Sequence, residues 1–433
     1  MDATGFDDLT RAIRARLTRR TLGRVAGAGA LAVAMVAPAL GEAPEAEARK
    51  RRKRAGAEHN VRGKKAIMCV DGMTTRVPKR KRKHYLKRGA TRGACAATPT
   101  STTTSTPCIP ACEAGLCSMD DGCGGTCGCA SGSLCREAVC VACTVTCDAG
   151  TETPAVCGAR LTTALQSGGT VYVCPGAYQG LFAPPVSVSI YGAGSGADPA
   201  VDTILTGQDV SGTMDVQVAG TVQMTNLRLT FGNATYGANL FVSGASLLVV
   251  MVDCVIADGS GSYGAGVYVS EGTANFQNCQ FLGNTGSGNG QGLTNSAGVV
   301  TITDSHFEGN IATAGGGALA TLDLTGSMTV TGCTFTKNSA VTTAYGGAVY
   351  AYFGPVTITN STFTENDAGY GGAIYIDANG AVTLDAAVSI TGNTARGAGF
   401  SGGGVFAAGG GTFNRNSATI SGNTPDQCVG TGC

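Results

Sequence analysis

Few side chains in the second half of the chain could carry acid–base chemistry. From Arg160 to Cys433 the sequence has 5 Lys and Arg residues against 15 Asp and Glu residues, and His306 is its one histidine. Hydrolysis of a glycosidic bond needs two convergent carboxylates, and a lyase needs a base together with a cation. Asp253 and Asp304 occupy equivalent positions of a repeat, but they lie two repeats apart with Asn278 between them. The sequence therefore predicts no catalytic residue and no cofactor-binding residue.

Three aspartates near the end of the chain are candidate cation ligands. Asp367, Asp377 and Asp385 lie close together in sequence, and carboxylate oxygens are ligands that Ca²⁺ prefers. A solvated acidic surface explains the same residues, and we predict no metal site. Lys337 and Glu365 occupy equivalent positions one repeat apart, which predicts a surface ion pair worth about 0 to 1 kcal/mol.

A row of tyrosines is the candidate binding feature. Tyr236, Tyr263, Tyr345 and Tyr370 occupy one recurring position, immediately before a glycine-rich segment. Stacked aromatic side chains on a repetitive surface can hold sugar rings, and they can equally stack on one another within a corner of the chain. The sequence leaves both interpretations open, and these four tyrosines are the candidate carbohydrate-binding residues.

The cysteines indicate an oxidising location. Ten of the 19 cysteines lie between Cys108 and Cys147, a segment of about 40 residues that is too small for a sufficient hydrophobic core without cross-links. The segment has no histidine and lacks two clean CxxC pairs, which favours disulfides over a zinc site. Because disulfides persist outside reducing compartments, this density predicts an extracytoplasmic protein.

A repeat of 25 to 30 residues must position these side chains. Its clearest copy is the segment from Val356 to Asn366, whose last position recurs along the chain at intervals of 27, 25, 26, 28, 28, 27 and 30 residues. The recurring residues are Gly232, Gly259, Asn284, Asn310, Asn338, Asn366, Asn393 and Asn423. A period of this size is typical of stacked supersecondary units rather than of separate domains.

The residue types within each repeat predict strands. A large apolar residue lies three positions before each recurring residue: Leu229, Ile256, Phe281, Phe307, Phe335, Phe363, Ile390 and Ile420. Apolar and polar residues alternate around it with the period of two that strands show. Such strands stack about 4.8 Å apart as parallel sheets, so equivalent residues form ladders. Glycine-rich segments such as Gly371–Tyr375 predict a third strand after a tight corner, and the recurring asparagines predict a hydrogen-bonded amide ladder.

The repeat resembles known sequences. The pairs Phe363-Thr-Glu-Asn366 with Gly371-Gly-Ala-Ile374, and Phe335-Thr-Lys-Asn338 with Gly346-Gly-Ala-Val349, resemble the FxxN and GGA[ILV] repeats of polymorphic outer membrane proteins. More broadly the region is similar to the pectate-lyase-like superfamily. The resemblance implies an all-β fold, a right-handed parallel β-helix of about ten coils between residues 158 and 433. Leu161 to Leu165 resembles the capping helix of such folds.

Four cysteines of the repeat region are candidate disulfide partners. Cys254 and Cys279 occupy equivalent positions on successive repeats, where a spacing of about 4.8 Å falls within the Cα separation that a disulfide tolerates. A disulfide and two packed thiols are both compatible with this position. Cys428 and Cys433 are the second candidate pair, and Cys333 is the candidate free, buried thiol.

The N-terminal third predicts export. Arg19 and Arg20 precede an apolar stretch of 16 residues, 25–40, in a pattern that resembles a twin-arginine signal peptide over residues 1–48. An uncleaved membrane anchor is the alternative, but the stretch is shorter than the roughly 20 residues that span a bilayer. We expect a secreted or cell-surface location.

Three further segments precede the β-helix. Residues 49–97 read as a disordered basic arm, because Arg49 to Cys95 carries 18 Lys and Arg residues against 2 acidic residues, a net charge of +16. A Thr/Ser/Pro linker at 98–107 and a Cys-rich disulfide module at 108–157 follow. The β-helix from Arg160 onward carries 5 positive and 15 negative residues, a net charge of −10.

The sequence supports two hypotheses about function. The first is a non-catalytic surface adhesin or scaffold that binds an anionic envelope polymer or a polysaccharide. The second is a polysaccharide lyase or hydrolase, as in many pectate-lyase-like proteins. We expect no specific nucleic acid partner, no transmembrane domain after signal removal and a monomeric mature protein.

Overall fold

The structure is a computed structural model, and it describes residues 65–70, 73–78, 91–92, 129–148, 150–341, 344–397 and 401–433. The chain divides into two units, residues 1–105 and 106–433. The predicted signal peptide, the linker and residues 108–128 of the Cys-rich module lie outside the described residues. Within the second unit no described helix is long and apolar enough to cross a membrane.

The first unit contains regular structure within the basic arm. Strands Lys65–Val70, Met73–Pro78 and Thr91–Arg92 form a three-stranded antiparallel sheet in which the first strand is central. The prediction of a disordered arm is wrong for these strands. The sequence does contain a signal for these strands, namely the apolar run in Lys65–Val70 followed by Asp71-Gly72, a dipeptide favoured in two-residue hairpin loops. The high charge of the segment obscured this signal.

The second unit is a parallel β-helix built from three sheets, and we call them sheets A, B and C. Sheet A has 17 strands, with two from most coils. They are Gly169–Val173, Val188–Gly192, Met214–Val216, Gly220–Thr225, Leu240–Val242, Leu247–Val252, Val267–Val269, Thr273–Gln277, Leu293–Asn295, Val299–Thr303, Leu319–Thr321, Ser327–Thr331, Val349–Thr359, Ile374–Leu384, Val405–Ala407, Thr412–Asn414 and Cys428–Gly430.

Sheet B has ten strands, one from each coil, which confirms the predicted number of coils. They are Gly176–Gln179, Thr203–Thr206, Arg228–Thr230, Val255–Ala257, Gln280–Leu282, His306–Glu308, Thr334–Thr336, Thr362–Thr364, Ser389–Thr391 and Thr419–Ser421. Sheet C has seven shorter strands: Asn233–Tyr236, Ser260–Tyr263, Thr285–Gly286, Ile311–Ala312, Ser339–Ala340, Asp367–Ala368 and Thr394–Ala395. The sequence did not predict sheet C.

The predicted apolar ladder forms the core. All eight of its members are buried, from Leu229 to Ile420. Its central part is a stack of phenylalanine rings with centroids 4.2 Å apart for Phe281 and Phe307, 4.8 Å for Phe307 and Phe335, and 4.5 Å for Phe335 and Phe363. The interplanar angles are 10° or less, so the rings stack nearly parallel along the core.

The predicted amide ladder is also present. From Asn284 to Asn393, each asparagine side chain donates through Nδ2 to Oδ1 of the asparagine in the next coil, at 3.0 Å from Asn284 to Asn310 and 2.9 Å from Asn310 to Asn338. The same Oδ1 accepts the backbone N–H of the preceding asparagine, as from Asn310 to Asn338 at 3.1 Å. From the third coil onward the ladder therefore satisfies buried backbone groups that turn inward at a corner of each coil.

Two side chains from outside the recurring position complete this ladder. Where the repeat has Gly232 and Gly259, the side chain of Asn239 enters from the following turn, accepts the N–H of Gly232 at 2.9 Å and donates to Asn284 Oδ1 at 3.1 Å. At the other end Gln427 Oε1 accepts the backbone N–H of Asn423 at 2.9 Å. At each end of the ladder, the hydrogen bonds are thus completed by a side-chain amide from outside the recurring position.

A helix and a hairpin lie at the N-terminal end of the β-helix. Helix Pro154–Leu165 buries Leu161 and Leu165, which confirms the predicted capping helix and extends it. Gly158 is required there, because a Cβ atom would lie 1.9 Å from the carbonyl oxygen of Gln179. The antiparallel hairpin of Ser133–Arg136 and Val139–Ala142 precedes the helix.

Disulfides fasten the end of the Cys-rich module to the β-helix. Cys129 pairs with Cys140, Cys147 with Cys157, and Cys143 with Cys174 of the first coil. The last of these crosses the boundary expected at residue 157. Cys428 and Cys433 also form a disulfide, as predicted.

Cys254, Cys279 and Cys333 are buried free thiols. Of the two alternatives open for Cys254 and Cys279, the structure shows packed thiols rather than a disulfide. Their Sγ atoms lie near backbone carbonyl oxygens, 3.2 Å from Val252 O for Cys254 and 3.3 Å from Gln277 O for Cys279. Burial raises the pKa of the Cys254 thiol, so it stays protonated and packs as a small apolar side chain.

Replacing Cys143 and Cys174 together with serine should lower the free energy of unfolding by about 2 to 4 kcal/mol, because the disulfide closes a long loop in the unfolded chain. Their sequence separation is 31, against 5 for Cys428 and Cys433. Serine at Cys428 and Cys433 is the control and should cost less, which urea unfolding without reductant would measure. An equal loss for both pairs would contradict a loop-closure origin.

Candidate functional site

The four candidate tyrosines form two pairs rather than one row. Tyr236 and Tyr263 are stacked with centroids 5.6 Å apart, and Tyr345 and Tyr370 are stacked at 6.0 Å. The two coils between the pairs have Asn289 and Gly315 at the equivalent position, as the isolated bridges from Asn289 to Gly315 and from Gly315 to Tyr345 show. The structure therefore brings the tyrosines together two by two.

A second row of aromatic residues lies on sheet A, beside the two tyrosine pairs. It contains the aligned residues Phe241 and Tyr268, and then Tyr350, Tyr375 and Phe406. The rows touch where Tyr236 meets Tyr268 with centroids 5.1 Å apart and where Tyr345 meets Tyr375 at 4.6 Å. The sequence analysis missed most of this row. Each of its members stands between two inward-facing apolar residues of the predicted third strand, so the alternation of a strand places it on the outer face.

One end of each tyrosine pair lies against a glycine of the backbone. A Cβ atom on Gly288 would lie 2.8 Å from Cδ1 of Tyr263, and one on Gly397 would lie 2.8 Å from Cε1 of Tyr370. Glycine at these positions lets the rings lie against the chain. Tyr345 is the most exposed of the four, with 38% of its surface accessible. The tyrosines therefore offer ring edges and hydroxyl groups to a ligand more than open ring faces.

Burial keeps the phenol groups of this face protonated. It raises the pKa of Tyr236 and of Tyr263, and raises that of Tyr268 to about 12. The pKa of Tyr350 is raised by burial and by the charge of Asp377, to whose Oδ2 atom the Tyr350 hydroxyl donates at 3.1 Å. At neutral pH these groups are hydrogen-bond donors, not bases.

A small polar network surrounds the one histidine of the β-helix. His306 Nδ1 lies 2.5 Å from Thr334 Oγ1, and His306 Nε2 lies 3.2 Å from Glu308 Oε2. Lys337 Nζ lies 3.6 Å from Glu308 Oε1. The predicted ion pair between Lys337 and Glu365 is therefore wrong. Glu308 of strand His306–Glu308 is aligned with Thr336 of the next coil, and this register brings its carboxylate within reach of Lys337, the residue after Thr336. Hydrogen bonding to His306 and the nearby charges lower the pKa of Glu308.

The candidate acids have separate hydrogen-bond or ion-pair partners. Asp253 Oδ1 accepts from Asn278 Nδ2 at 2.6 Å. Asp367 Oδ1 pairs with Arg396 Nε at 3.0 Å, Asp377 accepts from Tyr350, and Asp385 Oδ1 accepts the N–H groups of Asn360 and Ala387. Asp367, Asp377 and Asp385 thus have different partners.

One cluster has atoms of the kinds that bind metal ions. Cys147, Glu152 and Cys157 place their sulfur and carboxylate atoms within 4.8 Å of one another. The two sulfurs form a disulfide, and Glu152 is held by Arg160, whose Nη1 donates to Oε2 at 2.7 Å. The donor atoms are therefore occupied by bonds within the protein, and this cluster stabilises the segment before the helix.

One comparison with known families is informative. Residues 238–425 match a family described as right handed beta helix region. No curated protein and no solved structure is significantly similar to the chain. Together with the parallel sheets and their register, the match identifies the repeat region as a right-handed parallel β-helix.

Proposed function

We propose that this protein is an exported, non-catalytic adhesin or scaffold of the cell surface, anchored by its basic arm. The observation that carries this proposal is the division of charge, +16 between Arg49 and Cys95 against −10 from Arg160 to Cys433. A basic segment binds anionic polymers such as cell-wall polyanions by charge attraction, and an acidic segment is repelled by them. The β-helix would therefore be held away from the surface to which the arm binds.

The internal ladders support a scaffold role. The amide and phenylalanine ladders connect neighbouring coils through buried contacts, and the ten strands of sheet B at about 4.8 Å per strand give a length of roughly 45 Å. Repeat units of this kind each contact only their neighbours and present extended surfaces. Such a rod can carry binding groups at a distance from its anchor.

The competing hypothesis is a polysaccharide lyase or hydrolase. Within the described β-helix Asp253, Asp367, Asp377 and Asp385 each have a separate local partner, and no observation favours this second function. A screen for cleavage of pectin, alginate and similar polymers in the presence of Ca²⁺ separates the two hypotheses. Cleavage by the purified protein would contradict a non-catalytic role.

High salt should release the mature protein from cells. The screening length falls from about 10 Å at 0.1 M to about 3 Å at 1 M salt, so attachment through the arm should weaken steeply. A protein restricted to Ala97–Cys433 should fail to bind, and so should a full-length variant with glutamine in place of the Lys and Arg residues of 49–54 and 79–83. Sedimentation with cells, followed by quantification of the pellet, measures both.

The truncated protein decides the proposal. Equal retention of Ala97–Cys433 and of the full mature chain would contradict anchoring by the arm. The binding surface would then lie on the Cys-rich module or on the tyrosine-bearing face.

A further inference from the structure

Phe231 is an exposed aromatic residue at a corner where the equivalent residues are glycine or charged. It occupies the corner between sheets B and C, where the chain of each coil takes a left-handed conformation. The equivalent residues are Asp258, Gly283, Gly309, Lys337, Glu365, Gly392 and Gly422. With φ of 51°, Phe231 has a conformation that is unfavourable for a bulky side chain. It is also 45% exposed, the largest value for an aromatic residue among those with described burial.

The neighbouring chain holds Phe231 in this conformation. Its carbonyl oxygen accepts the N–H of Asp209 at 2.7 Å, and the next residue, Gly232, donates its N–H to Asn239 of the amide ladder at 2.9 Å. Gln208 and Asp209 are themselves left-handed, with φ of 49° and 58°. Strained backbone that surrounding contacts maintain occurs preferentially at functional sites, which makes this corner a candidate site.

The exposed ring borders a groove on the outer face of sheet B. The groove is shallow and open to solvent, with a volume of about 400 Å³. Its apolar lining comes from Phe231, Ile204 and Ala177, and its polar groups come from Thr206, Gln208 and Asp209. The side chains of Gln208 and Asp209 are exposed to solvent. An apolar ring platform edged by hydrogen-bonding groups matches a sugar ring, which has one apolar face and hydroxyl groups at its perimeter.

The charges around the groove indicate which sugars fit. Arg228 Nη2 is engaged by Asp258 Oδ2 at 3.1 Å, and the Thr230 hydroxyl lies 3.4 Å from the same oxygen. The carboxylate of Asp209 therefore sets the charge of the groove. An anionic sugar such as a uronate would be repelled, whereas neutral hydroxyl groups can donate hydrogen bonds to Asp209. From the exposed, strained ring and the polar edge we infer that this groove binds a neutral pyranose unit of a polysaccharide. The site is separate from the basic arm.

Electrophoresis of the full mature protein in native gels that contain laminarin, hydroxyethylcellulose or glucomannan tests this inference. At least one of these neutral polymers should slow the wild-type protein relative to a polymer-free gel. Phe231→Gly should abolish the retardation while leaving the melting temperature unchanged or higher, because glycine adopts the left-handed conformation without strain. Phe231→Tyr keeps a ring and should keep the retardation.

Glu365→Gly is the matched control, because Glu365 occupies the equivalent corner with φ of 56° and is remote from the groove in the repeat. This variant should show the same retardation as the wild type in each polymer gel, with each protein compared with its own migration in the polymer-free gel. Absence of retardation by all three neutral polymers would overturn the inference, and so would retardation that Phe231→Gly retains. Polygalacturonate, an anionic polymer, tests the basic arm instead. Its retardation of the protein should disappear in salt and should be unchanged in Phe231→Gly, so failure of either proposal can be recognised separately.

Discussion

Replacing Asn338 with leucine is expected to lower the free energy of unfolding by about 3 to 9 kcal/mol. Asn338 Oδ1 accepts the backbone N–H of Asn310 at 3.1 Å and its Nδ2 at 2.9 Å, and Asn338 Nδ2 donates to the carbonyl oxygen of Phe307 at 2.9 Å. Leucine leaves two donors and the Phe307 carbonyl without these bonds in a buried position, at about 1 to 3 kcal/mol each. Asn366 Oδ1 also loses the bond from Asn338 Nδ2 but keeps the one from the Asn338 backbone N–H.

The loss should be measurable by urea unfolding followed by circular dichroism. Asn379→Leu is the control, since Asn379 is exposed in its strand, Ile374–Leu384, and an exposed substitution should change stability by no more than about 0.5 kcal/mol. A cost below about 1 kcal/mol for Asn338→Leu would mean that the neighbouring groups find other partners, and the ladder would not be a main source of stability.

The main features of the β-helix could be predicted from the sequence because its ladders repeat. A phenylalanine or isoleucine at one position of every repeat can be buried only if the repeats stack in register, and this also places the asparagines above one another. Phe335, Phe363 and Asn366 were therefore predicted correctly, with their neighbours in the adjacent coils. The packed strands of sheets A and B follow from the same regularity.

Features without a periodic side-chain signal were missed. The strands of sheet C contain as few as two residues, as in Thr285–Gly286 and Asp367–Ala368, and small or polar residues dominate them. Their strand conformation follows from the coils on either side, not from their own composition. Asn239 and Gln427 were also missed, because they reach the ladder from other positions of the chain.

The candidate site was predicted only in part. The spacing of Tyr236, Tyr263, Tyr345 and Tyr370 correctly indicated one position of the repeat, but two coils without an aromatic residue at this position separate the pairs. Phe231 gave no signal, because the sign of a backbone angle and the exposure of one ring depend on three-dimensional contacts. The glycines that cover the tyrosine rings were seen only as corner residues.

Phe335→Ala should lower the free energy of unfolding by about 3 to 5 kcal/mol. Its ring is fully buried between those of Phe307 and Phe363, with centroids 4.8 Å and 4.5 Å away, so alanine leaves a cavity that the rigid coils above and below cannot fill. Phe335→Leu keeps most of the volume and should cost less, by an amount that includes the lost ring stacking of about 0.5 to 1.5 kcal/mol per pair.

The control for this substitution is Thr362→Ala on the exposed face of the adjacent strand, with an expected change within about 0.5 kcal/mol. Urea unfolding of all three variants against the wild type gives the comparison. A cost below about 1 kcal/mol for Phe335→Ala would show that the coils close around the missing ring.

Because each repeat contacts only its neighbours, a substitution at this central position should also weaken the coupling between the two halves of the β-helix. A second unfolding transition in Phe335→Ala, absent from Thr362→Ala, would be the sign of that separation.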